Sequence, residues 1–329
     1  MTVIYHEEDG NLDDLAGKTV GVIGYGDLGM PIALNLHDSN VRVIVTGSAD
    51  EQVASSRDGF SVATLAAITR QADIIMLMLP DEIMSEVYMT YVSPNLKRGD
   101  TLVFSSAYNV AFGFIEAPPF VDVGLIAPRT LGGNLRERYI AGEGVQSFVA
   151  VGQDASGHTW QTILALARAL GALRAGAVEV SIEQEAEINL FIQQAIIPAV
   201  YNIMMTAAQL LLKTGYPPEA VLPDLYLAGK FSDYMQKAAQ EGLMHALEML
   251  NLSGQYGAYS RMNRFNEIKL ERLMEITLEE IRSGDFAQEW KREFTDGYPR
   301  LKNLRKQQQG VNLWELEEQT LDLLRGYES

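Results

Sequence analysis

Cysteine is absent from the 329 residues, and Lys and Arg together number 26 against 43 Asp and Glu. Without cysteine the chain has no disulfides and no thiolate metal sites. The formal net charge of −17 argues against nucleic acid and anionic membrane surfaces as partners, since both attract Lys and Arg. We find no apolar run that reads as a membrane span and no signal-peptide pattern, and we therefore expect a cytoplasmic protein.

The length and the periodicity of the chain predict two domains. Apolar residues make up 47% and charged residues 21%, which is ordinary for a globular protein. Up to about residue 180, apolar strands alternate with helical segments, the pattern of a doubly wound α/β sheet. After that the segments are helical. We predict a Rossmann domain over residues 1–181 and an all-α domain over residues 182–329. The predicted strands after the first are 41–45, 72–80, 101–104, 121–127 and 147–151.

The most informative motif is a glycine turn between a strand and a helix. An apolar stretch, 18–23, leads into G-x-G-x-x-G, and 30–36 reads as the helix that follows. This arrangement binds the pyrophosphate of a dinucleotide, because the turn presents backbone N–H groups at a helix N-terminus. The predicted cofactor-binding residues of this loop are Gly24, Tyr25, Gly26, Asp27, Leu28 and Gly29.

The loop after the second strand bears on the choice between NAD and NADP. NAD enzymes often carry an acidic residue here and NADP enzymes an arginine. Ser48 could bind a phosphate, whereas Asp50 could bind a bare ribose. No Lys or Arg occurs between Val43 and Ser56. The sequence therefore tilts slightly towards NAD and leaves NADP open.

The order of motifs is similar to that of the short-form ketol-acid reductoisomerase family. The similarity runs from about Leu12 to about Leu324, and its matches are Gly24-Tyr25-Gly26, Leu79-Pro80-Asp81-Glu82, Pro94-Asn95-Leu96-Lys97, Gly215-Tyr216-Pro217-Pro218-Glu219 and Gly284-Asp285-Phe286-Ala287. The resemblance implies a Rossmann domain followed by a knotted helical domain that forms a homodimer. It also implies an NADPH hydride and two Mg²⁺ ions, with a cofactor path past Leu79, Pro80, Asp81, Ser105 and Ser106.

The positions that hold metal in the family have changed in this chain. Where the family has an aspartate and a glutamate on one helix, this sequence has Asn189 and Gln193. The two glutamates of the next metal-binding helix fall at Asp224 and Ala228. Mg²⁺ needs anionic oxygen ligands, and one carboxylate cannot balance two divalent ions. The resemblance is thus strongest in the scaffold and weakest at the metal centre, and we predict no bound metal.

Other residues of the implied pocket differ too, and they define the catalytic candidates. The family histidine corresponds to Ser106, which we place beside the nicotinamide, and the family lysine corresponds to Arg129, which could hold a substrate carboxylate. Asn189 and Gln193 lie a helical turn apart and could orient the substrate. Tyr108 or Asp224 could supply a proton. We interpret Glu183, Glu185 and Glu187 as an acidic helix start favoured by the dipole.

From these losses we predict a Mg²⁺-independent, NAD(P)H-dependent reductase or dehydrogenase of a small keto acid or imine that bears a carboxylate. On this hypothesis the protein does not isomerise ketol acids. One alternative is a dinucleotide-binding sensor or scaffold without catalysis. Another is reductoisomerase activity with an altered metal site at Asp224.

Overall fold

A computed structural model describes residues 2–265, 268–309 and 312–325. The chain divides into two units, 1–189 and 190–329. The first unit contains a nine-stranded sheet with helices. Its strands are β1 Ile4–Tyr5, β2 Thr19–Ile23, β3 Arg42–Thr46, β4 Ser61–Val62, β5 Ile74–Leu77, β6 Thr101–Phe104, β7 Asp122–Pro128, β8 Ser147–Gln153 and β9 Ala177–Glu179. Its α-helices are α1 Gly29–Asp38, α2 Ala49–Arg57, α3 Leu65–Gln71, α4 Asp81–Val87, α5 Tyr108–Ala111, α6 Gly132–Ile140, α7 Thr159–Ala169, α8 Ala172–Ala175 and α9 Ile182–Phe191.

The sheet has the order β1-β9-β8-β7-β6-β5-β2-β3-β4. Every residue of β2, β5, β6 and β7 is buried, as expected for strands covered by helices on both faces. The chain runs outward from β2 to β4 and then resumes at β5 on the other side of β2. The order therefore reverses between β2 and β5, and the carboxyl ends of these strands form the crevice where such sheets bind ligands.

The predicted Rossmann architecture is confirmed, with additions at the edges of the sheet. Strand β6 has the predicted bounds, and the other predicted strands are displaced by one to three residues at their ends. The short strands β1, β4 and β9 were not predicted, because two or three residues carry too little periodicity. Strand β8 runs antiparallel to β7, so the sheet is mixed.

Two apolar cores cover the two faces of the sheet. On one face, Ile32 and Leu36 of α1 and Ile163 of α7 are fully buried. On the other face, Ile68 of α3 and Met84 of α4 pack in the second core. Each such aliphatic side chain contributes about 1.5–3 kcal/mol when it is removed from water. The sheet that positions the glycine loop is therefore firmly held on both sides.

The second unit is helical throughout its described residues. Its α-helices are α10 Ile197–Lys213, α11 Pro218–Leu222, α12 Lys230–Glu241, α13 Leu243–Ala246, α14 Leu252–Arg261, α15 Ile268–Ser283, α16 Asp285–Thr295, α17 Pro299–Gln309 and α18 Asn312–Arg325. The all-α prediction is confirmed, although α14, α16 and α17 were not predicted as separate helices. Pro198 does not break the helix, although proline has no N–H to donate. The π-helical segment Ile192–Ile196 precedes it, and the altered hydrogen-bond pattern there accommodates the proline.

The continuous helix Ile182–Lys213 corrects one expectation. By length and composition it is apolar enough to cross a membrane, whereas the sequence analysis found no such run. Only 11% of its apolar window is buried. One helix of this length and apolar composition is weak evidence of a membrane span, since helices of other kinds meet the same criteria of length and composition.

Candidate active site at the carboxyl edge of the sheet

The glycine loop is shaped by contacts that leave no room for side chains. Gly24 has φ of 98°, and a Cβ atom there would lie 2.3 Å from the carbonyl oxygen of Met78. A Cβ at Gly29 would lie 2.0 Å from the carbonyl oxygen of Gly24. Both glycines are therefore required by the turn itself, which brings β2 directly against the start of α1.

Gly26 has a different environment from the other two glycines. It is exposed, and among the described residues the one atom within 4 Å of its Cβ position is Glu51 Oε1, at 3.3 Å. Gly26 thus leaves open space over the loop. A pyrophosphate fits this space, since a phosphate needs close approach to backbone N–H groups at a helix N-terminus.

The open space over Gly26, between Gly24 and Gly29, is called the cradle. The side chain of Tyr25 points away from it. Its ring is buried against Phe60, with 5.8 Å between ring centroids, and its hydroxyl donates to Asp58 Oδ2 at 2.7 Å. Tyr25 therefore presents only its backbone to the loop. Asp27 is exposed, and its carbonyl oxygen lies 2.0 Å from the Cβ position of Gly132 at the start of α6. Leu28 packs partly buried against the core.

A carboxylate joins the glycine loop to the loop after β3. Glu51 Oε1 accepts from the backbone N–H of Tyr25 at 3.0 Å, and Glu51 Oε2 accepts from that of Ser48 at 2.7 Å. Ser48 is the N-cap of α2, and its hydroxyl accepts from the Glu51 N–H at 3.4 Å. The Ser48 hydroxyl thus takes part in a capping box, and its role toward a phosphate stays a prediction.

Glu51 has no role in the sequence-based predictions, which weighed Asp50 instead. Two signals could have found it. It stands about 20 residues beyond the glycine motif, where Rossmann domains place an acidic residue. Ser48 and Glu51 also form the S-x-x-E spacing of a capping box.

The ends of β5 and β6 bring several predicted residues together. Leu79 and Pro80 lead into α4, which begins at Asp81. Asp81 Oδ2 accepts from Ser106 Oγ at 3.5 Å, and Asp81 Oδ1 accepts from Asn109 Nδ2 at 3.3 Å. Ser105 lies half-buried beside Ser106. Burial raises the pKa of the Asp81 carboxyl to about 6, although the Ser106 hydrogen bond opposes the shift.

Tyr108 is buried in this cluster as well. Its ring centroid lies 5.2 Å from that of Phe112 and 5.8 Å from that of Phe114. Its hydroxyl is one of three buried side-chain polar atoms without a hydrogen-bond partner among the described residues. Burial, with the nearby Asp81 charge, raises the pKa of this phenol above its usual value. The role of Tyr108 as a proton donor stays a prediction.

Arg129 forms an ion pair that the sequence did not indicate. Its Nη1 lies 3.2 Å from Oε1 of Glu185, and its guanidinium stacks over Phe148 at 4.8 Å. Glu185 is fully buried, and its Oε2 accepts from the Ala107 N–H at 2.8 Å. Burial raises the pKa of Glu185, while the Ala107 N–H and Arg129 oppose that shift. Glu185 is therefore a buried partner of Arg129, not merely part of an acidic helix start.

The remaining predicted residues lie on helices of both units. Asn189 is half-buried on α9, and Gln193 is exposed in the π-helical segment that follows. Asp224 lies in a second π-helical segment, Pro223–Leu227, and its Oδ1 pairs with Lys230 Nζ at 3.0 Å. Among the described residues no three His, Asp or Glu side chains are grouped as metal ligands would be. The absence of bound Mg²⁺ stays a prediction that rests on the residue types at these positions.

The fold, the cradle at Gly26 and the polar strand ends define a protein of the Rossmann oxidoreductase class. Residues 14–176 match the acetohydroxy acid isomeroreductase NADPH-binding domain, and residues 182–325 match the ketol-acid reductoisomerase C-terminal domain. The chain belongs to the ketol-acid reductoisomerase family.

Two curated relatives and one solved structure match this protein over almost the whole chain. The "Ketol-acid reductoisomerase (NADP(+))" of Methanothermobacter thermautotrophicus is 35% identical over 95% of this chain and 96% of its own length. That of Methanopyrus kandleri is 36% identical over 93% and 94%. The structure of an NADH-preferring ketol-acid reductoisomerase from an uncultured archean has a TM-score of 0.91 at 27% identity, covering 99% of this chain and 100% of that one.

These findings correct the predicted function. A reductase that does not act as a ketol-acid isomerase is the wrong prediction, because the relatives that match across the chain are ketol-acid reductoisomerases. The loss of carboxylates bears on how strongly the site binds a metal. It does not by itself identify another substrate or remove the isomerase step.

Proposed function

We propose that this protein converts a small ketol acid by coupled isomerisation and reduction with NAD(P)H, the activity for which its relatives are named. The observation that carries the proposal is the preserved cradle. Gly24 and Gly29 close the turn, and Gly26 leaves space for a pyrophosphate, in a chain that matches both family domains. A nicotinamide cofactor bound there supplies a hydride to a carbonyl carbon.

The residues of the carboxyl edge suit the substrate side of this reaction. Arg129 would hold the substrate carboxylate, since its guanidinium keeps its charge and offers paired donors. Glu185 would fix the orientation of Arg129 through the ion pair between Arg129 Nη1 and Glu185 Oε1, which lie 3.2 Å apart. Asn189 and Gln193 would orient substrate oxygens, and Ser106 would border the nicotinamide. In its protonated form Asp81, whose pKa is about 6, could give a proton through the Ser106 hydroxyl to the oxygen that is reduced, and Asp81 would become a carboxylate.

The metal requirement sets this chain apart from the family pattern. Asn189, Gln193, Asp224 and Ala228 offer a single carboxylate at the family's metal positions, and that carboxylate is paired with Lys230. A two-Mg²⁺ centre does not fit these side chains. We therefore derive no step of the reaction from a metal ion, and the proposal extends to an altered dependence on Mg²⁺.

We also propose how the protein assembles, where it is located and where its two domains meet in the sequence. An apolar groove of about 580 Å³ in the second unit, lined by residues that include Val200, Tyr201 and Trp314, supports association through the helical unit. We propose a homodimer there and a cytoplasmic location. We propose that the domain boundary lies between residues 181 and 182.

The test is an assay of the purified protein with acetolactate and NADH or NADPH, with Mg²⁺ and with a chelator. Oxidation of the cofactor together with the rearranged dihydroxy acid product, seen by NMR, is the expected outcome. Arg129→Ala should raise KM strongly, whereas Arg138→Ala, an exposed arginine on α6, should not. Cofactor binding without any turnover of ketol acids would refute the proposal and favour a sensor or scaffold.

A further inference from the structure

Helix α6 begins directly against the glycine loop. A Cβ atom at Gly132, the first residue of α6, would lie 2.0 Å from the carbonyl oxygen of Asp27 and 2.5 Å from its carbonyl carbon. These neighbours are backbone atoms, so no flexible side chain could turn aside to relieve the contact. If residue 132 carried a side chain, either α6 or the glycine loop would have to shift.

The start of α6 is the part that would move. The glycine loop is closed by its own backbone contacts at Gly24 and Gly29, described above. The middle of α6 is held to α1, because Arg136 Nη1 donates to the buried Asn35 Oδ1 at 2.8 Å. In contrast, Leu131, the N-cap of α6, is 81% exposed. A group forced against the loop would therefore displace the residues that lead into α6.

The segment that leads into α6 carries Arg129. Arg129 stands three residues before Gly132, so the two Cα atoms are at most about 11 Å apart. Its guanidinium is held by Glu185 and stacks over Phe148, and its backbone N–H donates to the carbonyl oxygen of Gln146 at 2.9 Å. This short stretch of chain joins the loop that forms the cradle to the arginine assigned to the substrate carboxylate.

We propose that Gly132 is a positioning residue, whose contact with the Asp27 backbone fixes where Arg129 stands relative to the bound dinucleotide. The inference rests on the proposed function, because it requires a dinucleotide in the cradle and a substrate carboxylate on Arg129. Hydride transfer needs the two bound molecules in one alignment, and a displacement of about 1 Å can cost about 100-fold in rate. Glycine at residue 132 permits the close approach that sets this alignment.

The experiment compares Gly132→Ala with Gly133→Ala in the acetolactate assay, with thermal melts to verify folding. Gly133 is the matched control, because it is the next residue of α6 and no atom of the described residues lies within 4 Å of its Cβ position. Gly132→Ala should raise the KM for acetolactate at least about tenfold and lower kcat, whereas Gly133→Ala should stay within about twofold of wild type. The calorimetric Kd of NADH should change less than about threefold in both, since the loop keeps its place.

A double-mutant cycle shows whether Gly132 acts through Arg129. In an Arg129→Ala background, Gly132→Ala should change the KM for acetolactate by less than about twofold, because the group that it positions is gone. A role confined to folding would lower activity by the same factor in both backgrounds.

A second pair of variants tests the same link if Gly132→Ala does not fold. Leu131→Gly loosens the backbone between Arg129 and Gly132, whereas Leu131→Ala removes the same exposed side chain and keeps the backbone restricted. The glycine variant should have a kcat/KM about threefold below that of the alanine variant. Equal values would overturn the inference.

The outcomes separate this inference from the proposed function. If Gly132→Ala behaves as Gly133→Ala does, or keeps its full effect without Arg129, the positioning role is overturned and the proposed function stands. Wild-type protein that does not turn over acetolactate would overturn the proposed function, and the inference with it.

Discussion

The two units of this molecule bury their apolar side chains to different extents. In the first unit, whole strands and the inward faces of α1 and α7 are buried, and two cores cover both faces of one sheet. Among the described residues of the second unit, Ala208, Val221, Leu222 and Leu313 form a buried cluster. Large apolar residues of α10 such as Ile203 and Leu210 are about 60% exposed. The second unit thus presents an apolar surface typical of one that another chain covers.

The sequence changes predicted from the family resemblance fall in both units. The glycine loop keeps the three glycines that its geometry requires, and the strand ends keep a connected polar cluster. The departures from the family at Gln193, Asp224 and Ala228 fall in the helical unit, and Asn189 is the last residue of the first. The glycine loop therefore keeps its geometry, while the predicted departures at Ser106 and Arg129 also lie in the first unit.

The largest expected effect is on the cradle. Gly24→Ala would place a methyl group 2.3 Å from the Met78 carbonyl oxygen at positive φ, so we expect it to cost at least about 3 kcal/mol and abolish dinucleotide binding. Gly26→Ala meets nothing closer than 3.3 Å and should fold normally, yet lose about 100-fold in affinity. Thermal melts and calorimetric titration measure both. Equal stability loss in the two variants would contradict this distinction.

The second expectation concerns the exposed face of α10. Ile203→Asp with Leu210→Asp puts charges on one helix face, seven residues apart, and should convert a homodimer to monomers. Val53→Asp, on an apolar residue of the first unit that is also about half exposed, is the control and should leave association unchanged. Analytical ultracentrifugation reads the result. A monomeric wild-type protein would show that the contrast between the units has another cause.

A smaller effect compares a buried ion pair with an exposed one. Arg129→Ala leaves Glu185 buried without its cation and should cost about 3–5 kcal/mol of unfolding free energy. Arg272→Ala breaks the Arg272–Glu275 pair of the helical unit, in which both side chains are more than half exposed, and should leave the unfolding free energy almost unchanged. Urea denaturation gives both values. Similar costs would mean that burial of Glu185 does not govern the pair.

The smallest effect concerns pH. Asp81 has a pKa of about 6 in the folded protein against an ordinary 3.8, so the folded state binds this proton more tightly. Its contribution to stability is full below about pH 3.8 and is lost as the pH rises through about 6. Asp81→Asn should flatten that decline, by at most about 3 kcal/mol. Urea unfolding across this range, with the exposed Glu86→Gln on the same helix as control, measures it, and a curve parallel to wild type would refute it.

The sequence predicted what depends on local pattern. Strand β6 and the glycine loop follow from apolar runs and glycine spacing, which neighbouring residues determine. The ion pair of Arg129 with Glu185 joins residues 56 apart, and the bond from Ala107 to Glu185 joins residues 78 apart. No periodicity records such contacts, so the sequence indicated Glu185 as a helix-start residue but not its burial or its ion pair. Glu51 was within reach of prediction, because its spacing from Ser48 is local.

The π-helical segments have a consequence for how this family can vary. Two of them, Ile192–Ile196 and Pro223–Leu227, contain Gln193 and Asp224, two of the altered metal positions. A π turn holds one residue more than an α turn would, so deleting one residue there would restore a regular helix. Every side chain beyond that point would then rotate by about 100° around the axis. A single insertion or deletion in these segments can therefore turn the side chains that follow to a different face of the helix. The backbone hydrogen bonds of the helix stay intact.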